Sequence, residues 1–331
     1  MDFITICKLN QKNLKEILVT EMLKYYKASD IIDDAGFLYV RGSNILLTAH
    51  MDTVHKEPVK QVVVEKHVDS DIYTTDFASD IKGKTIVSSP QGIGGDDRCG
   101  VYMILEILRK TKLRPTIIFC EDEEVGGVGS NKFCKSCYIA ELKGIKFAIE
   151  LDRANANDLV YYDCGNEEFM EFCEKVTGYK TAYGTFSDIC HFSPELDVAS
   201  VNISCGYYNQ HTTKEYVVLE EMETTIGKVI ELLKKENEVE KFDYQELFYN
   251  YNYKNYYGNQ YGGGFRDWYE SSYYELMITY RTEGKGAMGI IVTSGYSYEE
   301  CIGNFLIDHP DVRYRDIVSV ENVETGEQLS L

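Results

Sequence analysis

Side chains able to bind metal or move protons stand where several apolar segments of this sequence end. NILLTAH (44–50) leads into MDTV, leaving His50 and Asp52 at one exit. The turn GIGGDDRCG supplies Asp96 and Asp97. PTIIFC (115–120) opens into four consecutive carboxylates, Glu121 to Glu124, followed by a glycine pair. KFAIEL (146–151) ends at Asp152, and VNISC is followed by GYYNQHTTKEY, which carries His211. Imidazole nitrogens and carboxylate oxygens are ligands for borderline divalent cations, zinc foremost, with cobalt or manganese able to replace it. Each feature alone is ordinary. Strand-end histidines are mostly surface residues, GDD is a common turn, and acidic runs in acidic proteins are usually solvated loops. Their joint order is more specific. The acidic run also poses a charge problem, because no Lys or Arg stands near it in the sequence to offset it.

The elements that must position these groups read as alternating helices and strands. Residues 11–26 have an amphipathic helical pattern; 37–42 and 44–50 read as two strands joined by a tight turn. Residues 55–90 are mixed, with short strands and loops. After GDDRCG, Val101, Ile104, Leu105 and Leu108 share one helical face. Strands follow at 115–120, 146–151 and 198–205; a helix is expected after GGVGS, and further helices at 167–178 and 219–237. This alternation predicts an α/β fold with a mixed, mostly parallel central sheet. In such sheets, ligands gather at the strand C-termini.

Beyond about residue 240 the character changes. Residues 244–280 hold eleven tyrosines, the run Gly262–Gly264 and the only tryptophan, Trp268. We read 1–240 as the catalytic domain and 241–285 as a Tyr/Gly-rich linker, either a surface-wrapping connector or an aromatic binding segment. Residues 286–331 read as a small accessory strand–helix–strand unit, without a catalytic motif.

Bulk properties narrow the partners. The chain has 331 residues and a net charge of −20, which argues against nucleic acid and anionic membrane surfaces as partners. No apolar run approaches a membrane span, and the N-terminus MDFITICKLNQK lacks a secretory pattern. Ten scattered cysteines do not make a disulfide framework, so a reducing, cytoplasmic setting is expected. The Cys134–Cys137 pair has CxxC spacing but no second pair to complete a zinc site.

Taken in order, the H-x-D-T-V of His50–Val54, the G-x-DD-R-x-G of Gly94–Gly100, the EEVGGVGS of Glu123–Ser130, Asp152 and the late His211 resemble the co-catalytic di-zinc metallopeptidases, over about residues 1–237. That superfamily includes aminopeptidases and carboxypeptidases with a phosphorylase/hydrolase-like three-layer fold. The resemblance implies that His50 and Asp152 bind one metal, Glu124 and His211 the other, and Asp96 both, with a cis Asp96–Asp97 peptide. It implies that Asp52 orients the His50 ring and that Glu123 is the general base for a metal-bridging hydroxide. Two divalent cations would also answer the charge problem, leaving Glu121 and Asp122 directed to solvent or helix amides. Arg98 is expected to anchor its loop, and Ser187, Asp188, Tyr207 and Tyr208 to lie near the substrate pocket or pack beside it; His55, His67, His191 and His309 have no matching role.

Only 43 residues separate Asp52 from Asp96 and 58 separate Asp152 from His211. Neither interval holds a full inserted domain, so the core is expected to be compact, with 55–90 a reduced lid and large closed assemblies in doubt. The expected activity is that of an exopeptidase, foremost an aminopeptidase on short peptides. The alternatives are a dipeptidase, carboxypeptidase or N-acyl amino-acid deacylase, or a non-catalytic binding protein that keeps the fold.

Overall fold

Strands buried on both faces need a layer on each side, and the larger unit of this protein is built that way. In the computed structural model the chain divides into two compact units, Met1–Phe248 and Tyr249–Leu331. The structure describes residues 1–55, 58–66, 83–162, 164–182, 184, 186–245, 274–281, 288–295, 305, 309, 317–323 and 328–329. The larger unit contains helices α1 (Phe3–Cys7), α2 (Gln11–Met22), α3 (Gly95–Lys110), α4 (Val128–Cys134), α5 (Glu167–Thr177), α6 (Ile189–Leu196) and α7 (Leu219–Lys234). Its strands are β1 (Ile31–Asp34), β2 (Phe37–Val40), β3 (Ile45–His50), β4 (Val63–Lys66), β5 (Thr85–Ser88), β6 (Thr116–Cys120), β7 (Phe147–Arg153), β8 (Asp158–Val160), β9 (Lys180–Ala182), β10 (Ser200–Ser204), β11 (Tyr207–Tyr208) and β12 (Tyr216–Val218).

Eight strands form one sheet in the order β1-β2-β6-β3-β7-β10-β8-β9. The four central strands, β6, β3, β7 and β10, run parallel, as predicted, and antiparallel pairs flank them. Alternation along each strand feeds two separate cores. Ile45, Leu47 and Ala49 of β3, Ile117 and Phe119 of β6, and Phe147, Ile149 and Leu151 of β7 pack with α1, α2, α3, α5 and α7 residues. Leu46, Ile118 and Ala148 face the other way, onto Phe133 of α4 and Phe192 and Leu196 of α6. The result is the expected three-layer α/β sandwich.

The segments 37–42 and 44–50 do not form the expected hairpin, because β6 lies between β2 and β3. The connection instead crosses the start of β6. A Cβ on Gly42 would come within 2.1 Å of the Pro115 carbonyl oxygen, so glycine is what lets the two backbones pass.

A second, antiparallel sheet has the order β11-β12-β5-β4. Its β11–β12 hairpin carries His211 in the connecting loop, and β5 pairs along β12 through Val217↔Val87. The described part of 55–90 therefore braces this hairpin. His67 lies outside the described residues.

The smaller unit contains β13 (Tyr274–Arg281), β14 (Met288–Gly295), β15 (Ile317–Asn322) and β16 (Gln328–Leu329), in the antiparallel order β14-β13-β15-β16. Leu276, Ile278, Phe305, Ile317 and Val320 form its own core, and the His309 ring packs at a tilt against Tyr280 and Phe305. The two strands of the expected strand–helix–strand unit are present as β14 and β15, residue 305 between them is helical, and β13 and β16 complete the four-stranded sheet. Strand β13 begins inside the span read as linker, where alternating Leu276, Ile278 and Tyr280 were hidden among tyrosines. The rest of that span, 246–273, lies outside the described residues. No helix among the described residues is long and apolar enough to cross a membrane.

Candidate metal centre

Because β6, β3, β7 and β10 are parallel neighbours, their C-terminal ends lie side by side. His50 is opposite Cys120 in the register, and Thr48 is opposite both Ile118 and Glu150. This places His50, the acidic run after Cys120 and Asp152 on one edge. Helix α3 starts against the same edge, where a Cβ on Gly100 would fall 1.9 Å from the Leu151 carbonyl oxygen. Its first turn is non-helical at Asp96 and Asp97, and the peptide between them is cis.

Two groups of ligand atoms result, His50–Asp96–Asp152 and Asp96–Glu124–His211, with the atoms of each within 4.8 Å of one another. His50 Nε2 is 2.9 Å from Asp96 Oδ1 and 3.5 Å from Asp152 Oδ1. His211 Nε2 is 3.2 Å from Asp96 Oδ2 and 3.1 Å from Glu124 Oε2. Asp96 thus offers one oxygen to each group. Glu123 Oε2 stands 4.0 Å from His50 Nε2. His211 has a left-handed φ of 62°, as does Asn209 at 56° in the same loop, a conformation uncommon outside glycine.

Buried carboxylates fix the ligand-bearing loops. Asp52 accepts from His50 Nδ1 at 3.2 Å and from the amides of Glu123 and Glu124, both at 3.0 Å. One carboxylate therefore sets the His50 ring and ties it to the acidic loop. Asp97 accepts from the His50 amide at 3.0 Å and the Gly100 amide at 2.8 Å. Asp152 accepts from Ser187 Oγ at 3.1 Å and Tyr207 Oη at 3.2 Å, while its amide donates to Asn202 Oδ1. Ser187 and Tyr207 are thus supports of Asp152. The Arg98 guanidinium donates to the carbonyls of Met51 and Leu9 and anchors its loop.

The outer half of the acidic run differs from expectation. Glu121 is only partly exposed, bridged to Lys15 Nζ at 2.8 Å, and accepts from the Gly36 amide. Asp122 accepts from Gln11 Nε2 at 3.0 Å. Gln11 and Lys15 stand one turn apart on α2, so a helix over a hundred residues away supplies the missing cation.

Sequence reasoning also missed Glu215. Its carboxylate accepts from the amides of Gly94 (2.8 Å) and Asp96 (3.0 Å) and from His55 Nε2 (2.9 Å). Its position four residues after His211 was the available signal. His191, with no role assigned, pairs with Ser130 Oγ at 2.8 Å and packs edge-on against Phe186. The cysteines join neither ligand group.

The inner groups fit cations. Among the described residues no Lys or Arg forms an ion pair with Asp96, Glu123, Glu124 or Asp152, and Glu124 Oε1 is buried without a hydrogen-bond partner. With only protein groups around it, Asp152 is pushed up to about 7, by burial first and by Asp96 next. Burial raises Glu123 well above the usual carboxylate range, with Asp152, Asp188 and Asp96 adding to the shift. Hydrogen bonds to Asp96 and Glu124 raise His211 to about 11. Crowded carboxylates that hold on to protons are the counterpart of a missing positive charge.

Fold and site together define a protein with a three-layer α/β sandwich and a carboxylate–histidine cluster able to hold cations at the C-terminal edge of its sheet. Residues 40–185 match Peptidase family M28, so the resemblance to the co-catalytic metallopeptidases stands. The match includes His50, Asp52, Asp96, Glu123, Glu124 and Asp152; the fold brings His211 to them from outside it. No curated protein matches the sequence. Among solved structures, the chain is similar in fold to the aminopeptidase PepT from Bacillus cereus (TM-score 0.52, 13% identity, covering 71% of this chain and 97% of that one). It is also similar to a tripeptidase from Staphylococcus aureus (TM-score 0.52, 14% identity, 72% and 97%).

Proposed function

We propose that the protein is a metal-dependent aminopeptidase acting on short peptides. The observation that carries this reading is the pair of ligand groups sharing Asp96, with Glu123 free of both and 4.0 Å from His50. In this reading His50 and Asp152 hold one divalent cation, Glu124 and His211 a second, and Asp96 both, with zinc the metal best suited to the donor set. Bound there, the cations would polarise the scissile carbonyl and acidify a water. Glu123, raised by burial, takes a proton from the attacking water and returns it to the leaving amine. Asp52 keeps base and ligand in register through its two amide hydrogen bonds and its bond to His50. The acidic surroundings favour a substrate with a free α-ammonium group.

Metal analysis of the purified protein, with a panel of aminoacyl-p-nitroanilides set against N-blocked peptides and peptides varied at the C-terminus, tests the proposal. Turnover confined to free N-termini and abolished by chelation is expected. Cleavage of the N-blocked set alone would overturn the aminopeptidase reading in favour of a deacylase or carboxypeptidase.

A further inference from the structure

We infer that Glu215 is a positioning residue for the metal centre, setting the place of the shared ligand Asp96 and of the His211 loop at once. This rests on the metallopeptidase reading above. Glu215 lies on the short stretch between His211 and β12, and its amide donates to the Thr212 carbonyl at 3.2 Å, closing the turn that follows His211. Its side chain is 0% exposed. Oε1 accepts from the Asp96 amide, and Oε2 accepts from the Gly94 amide and His55 Nε2. Three segments that carry or flank ligands, 50–55, 94–97 and 211–215, therefore meet on one carboxylate.

Alternative anchors are unequally distributed. The His50 group has its own supports in Asp52, Asp97, Ser187 and Tyr207. Glu124 is tied to Asp52 through its amide. The backbone amide of Asp96 has the Glu215 carboxylate as its anchor, and the half-exposed loop that carries His211 is tied to residues 94–97 through that same carboxylate. Loss of Glu215 should therefore weaken the Asp96–Glu124–His211 group more than the His50 group. A neutral amide at 215 cannot reproduce the arrangement, since its NH2 would face a backbone N–H or the His55 donor.

The test is titration of zinc into metal-stripped wild type, Glu215→Gln, His55→Gln and His55→Ala, with thermal melts of the stripped proteins and kcat and KM of the reloaded ones. Glu215→Gln should bind one zinc near wild-type affinity and the second about 10–100-fold more weakly, the usual cost of losing an outer support. Its kcat should fall with KM little changed. His55→Gln, which can still donate to Glu215, should stay near wild type, and His55→Ala should fall between. A lower melting temperature with both zinc affinities lowered equally would mean a merely structural role and overturn the inference. So would Glu215→Gln binding two zincs as tightly as wild type. Wild type that takes up no zinc would sink the metallopeptidase reading itself.

Discussion

Glu123 and Glu124 are neighbours whose surroundings divide their roles. Glu124 Oε2 lies 3.1 Å from His211 Nε2, inside a ligand group, whereas Glu123 stands outside both groups, 4.0 Å from the His50 ring. Glu123→Gln keeps shape and loses the proton acceptor. It should lower kcat by about 10²–10⁴-fold with metal content unchanged by elemental analysis; full activity in that variant would refute the assignment. Protonation governs metal uptake as well. His211, raised to about 11, and Asp152, raised to about 7, both carry protons near neutral pH when only protein groups surround them. An entering cation must displace those protons. Zinc affinity should therefore rise with pH, most steeply below about 7 where both protons must leave and less steeply above it where only that of His211 remains, with net proton release on binding. Calorimetry in buffers of different ionisation enthalpy measures that release, and pH-independent affinity would contradict it.

Among the elements, the contact between α3 and the end of β7 is the tightest constraint on the site. Gly100→Ala would push a methyl group against the Leu151 carbonyl and, at 2.6 Å, against the Asp97 carboxylate that holds the His50 amide. Such overpacking should cost about 1–3 kcal/mol, read from denaturant unfolding, and should displace His50 and so weaken zinc binding; a silent substitution would mean that α3 can move away. Long periodic elements were legible in the sequence: α3, α5, α7 and strands β3, β6, β7 and β10 lie where patterning puts them. Strands of two or three residues, such as β8, β9, β11 and β12, were not, because they exist only by pairing with distant partners. Helix α6 was missed because Pro194 and Ser193 interrupt its pattern. The insertion of β6 between β2 and β3 is a matter of non-local pairing, to which local spacing is blind. The same holds for the site. The residues of the two candidate ligand groups could be picked out because each ends a strand or lies in the turn or loop beyond one, but Lys15 beside Glu121 and Glu215 beside Asp96 meet only in the folded chain.

At the scale of the whole molecule, a net charge of −20 raises the local concentration of cations, metal ions and α-ammonium groups alike. The two histidines meet that solvent differently. The His50 side chain is fully buried, whereas that of His211 is 53% exposed at the tip of its hairpin. The two candidate ligand groups are thus an inner and an outer one, and in the proposed reading ions would leave by the outer seat. Stripping with a colorimetric chelator should release zinc in two phases, the fast phase belonging to the His211 seat. In the proposed mechanism catalysis needs both seats, so activity should vanish with the first ion lost while half the metal is still in place. The braced hairpin would then be a tap through which free zinc in the surroundings turns the enzyme on and off.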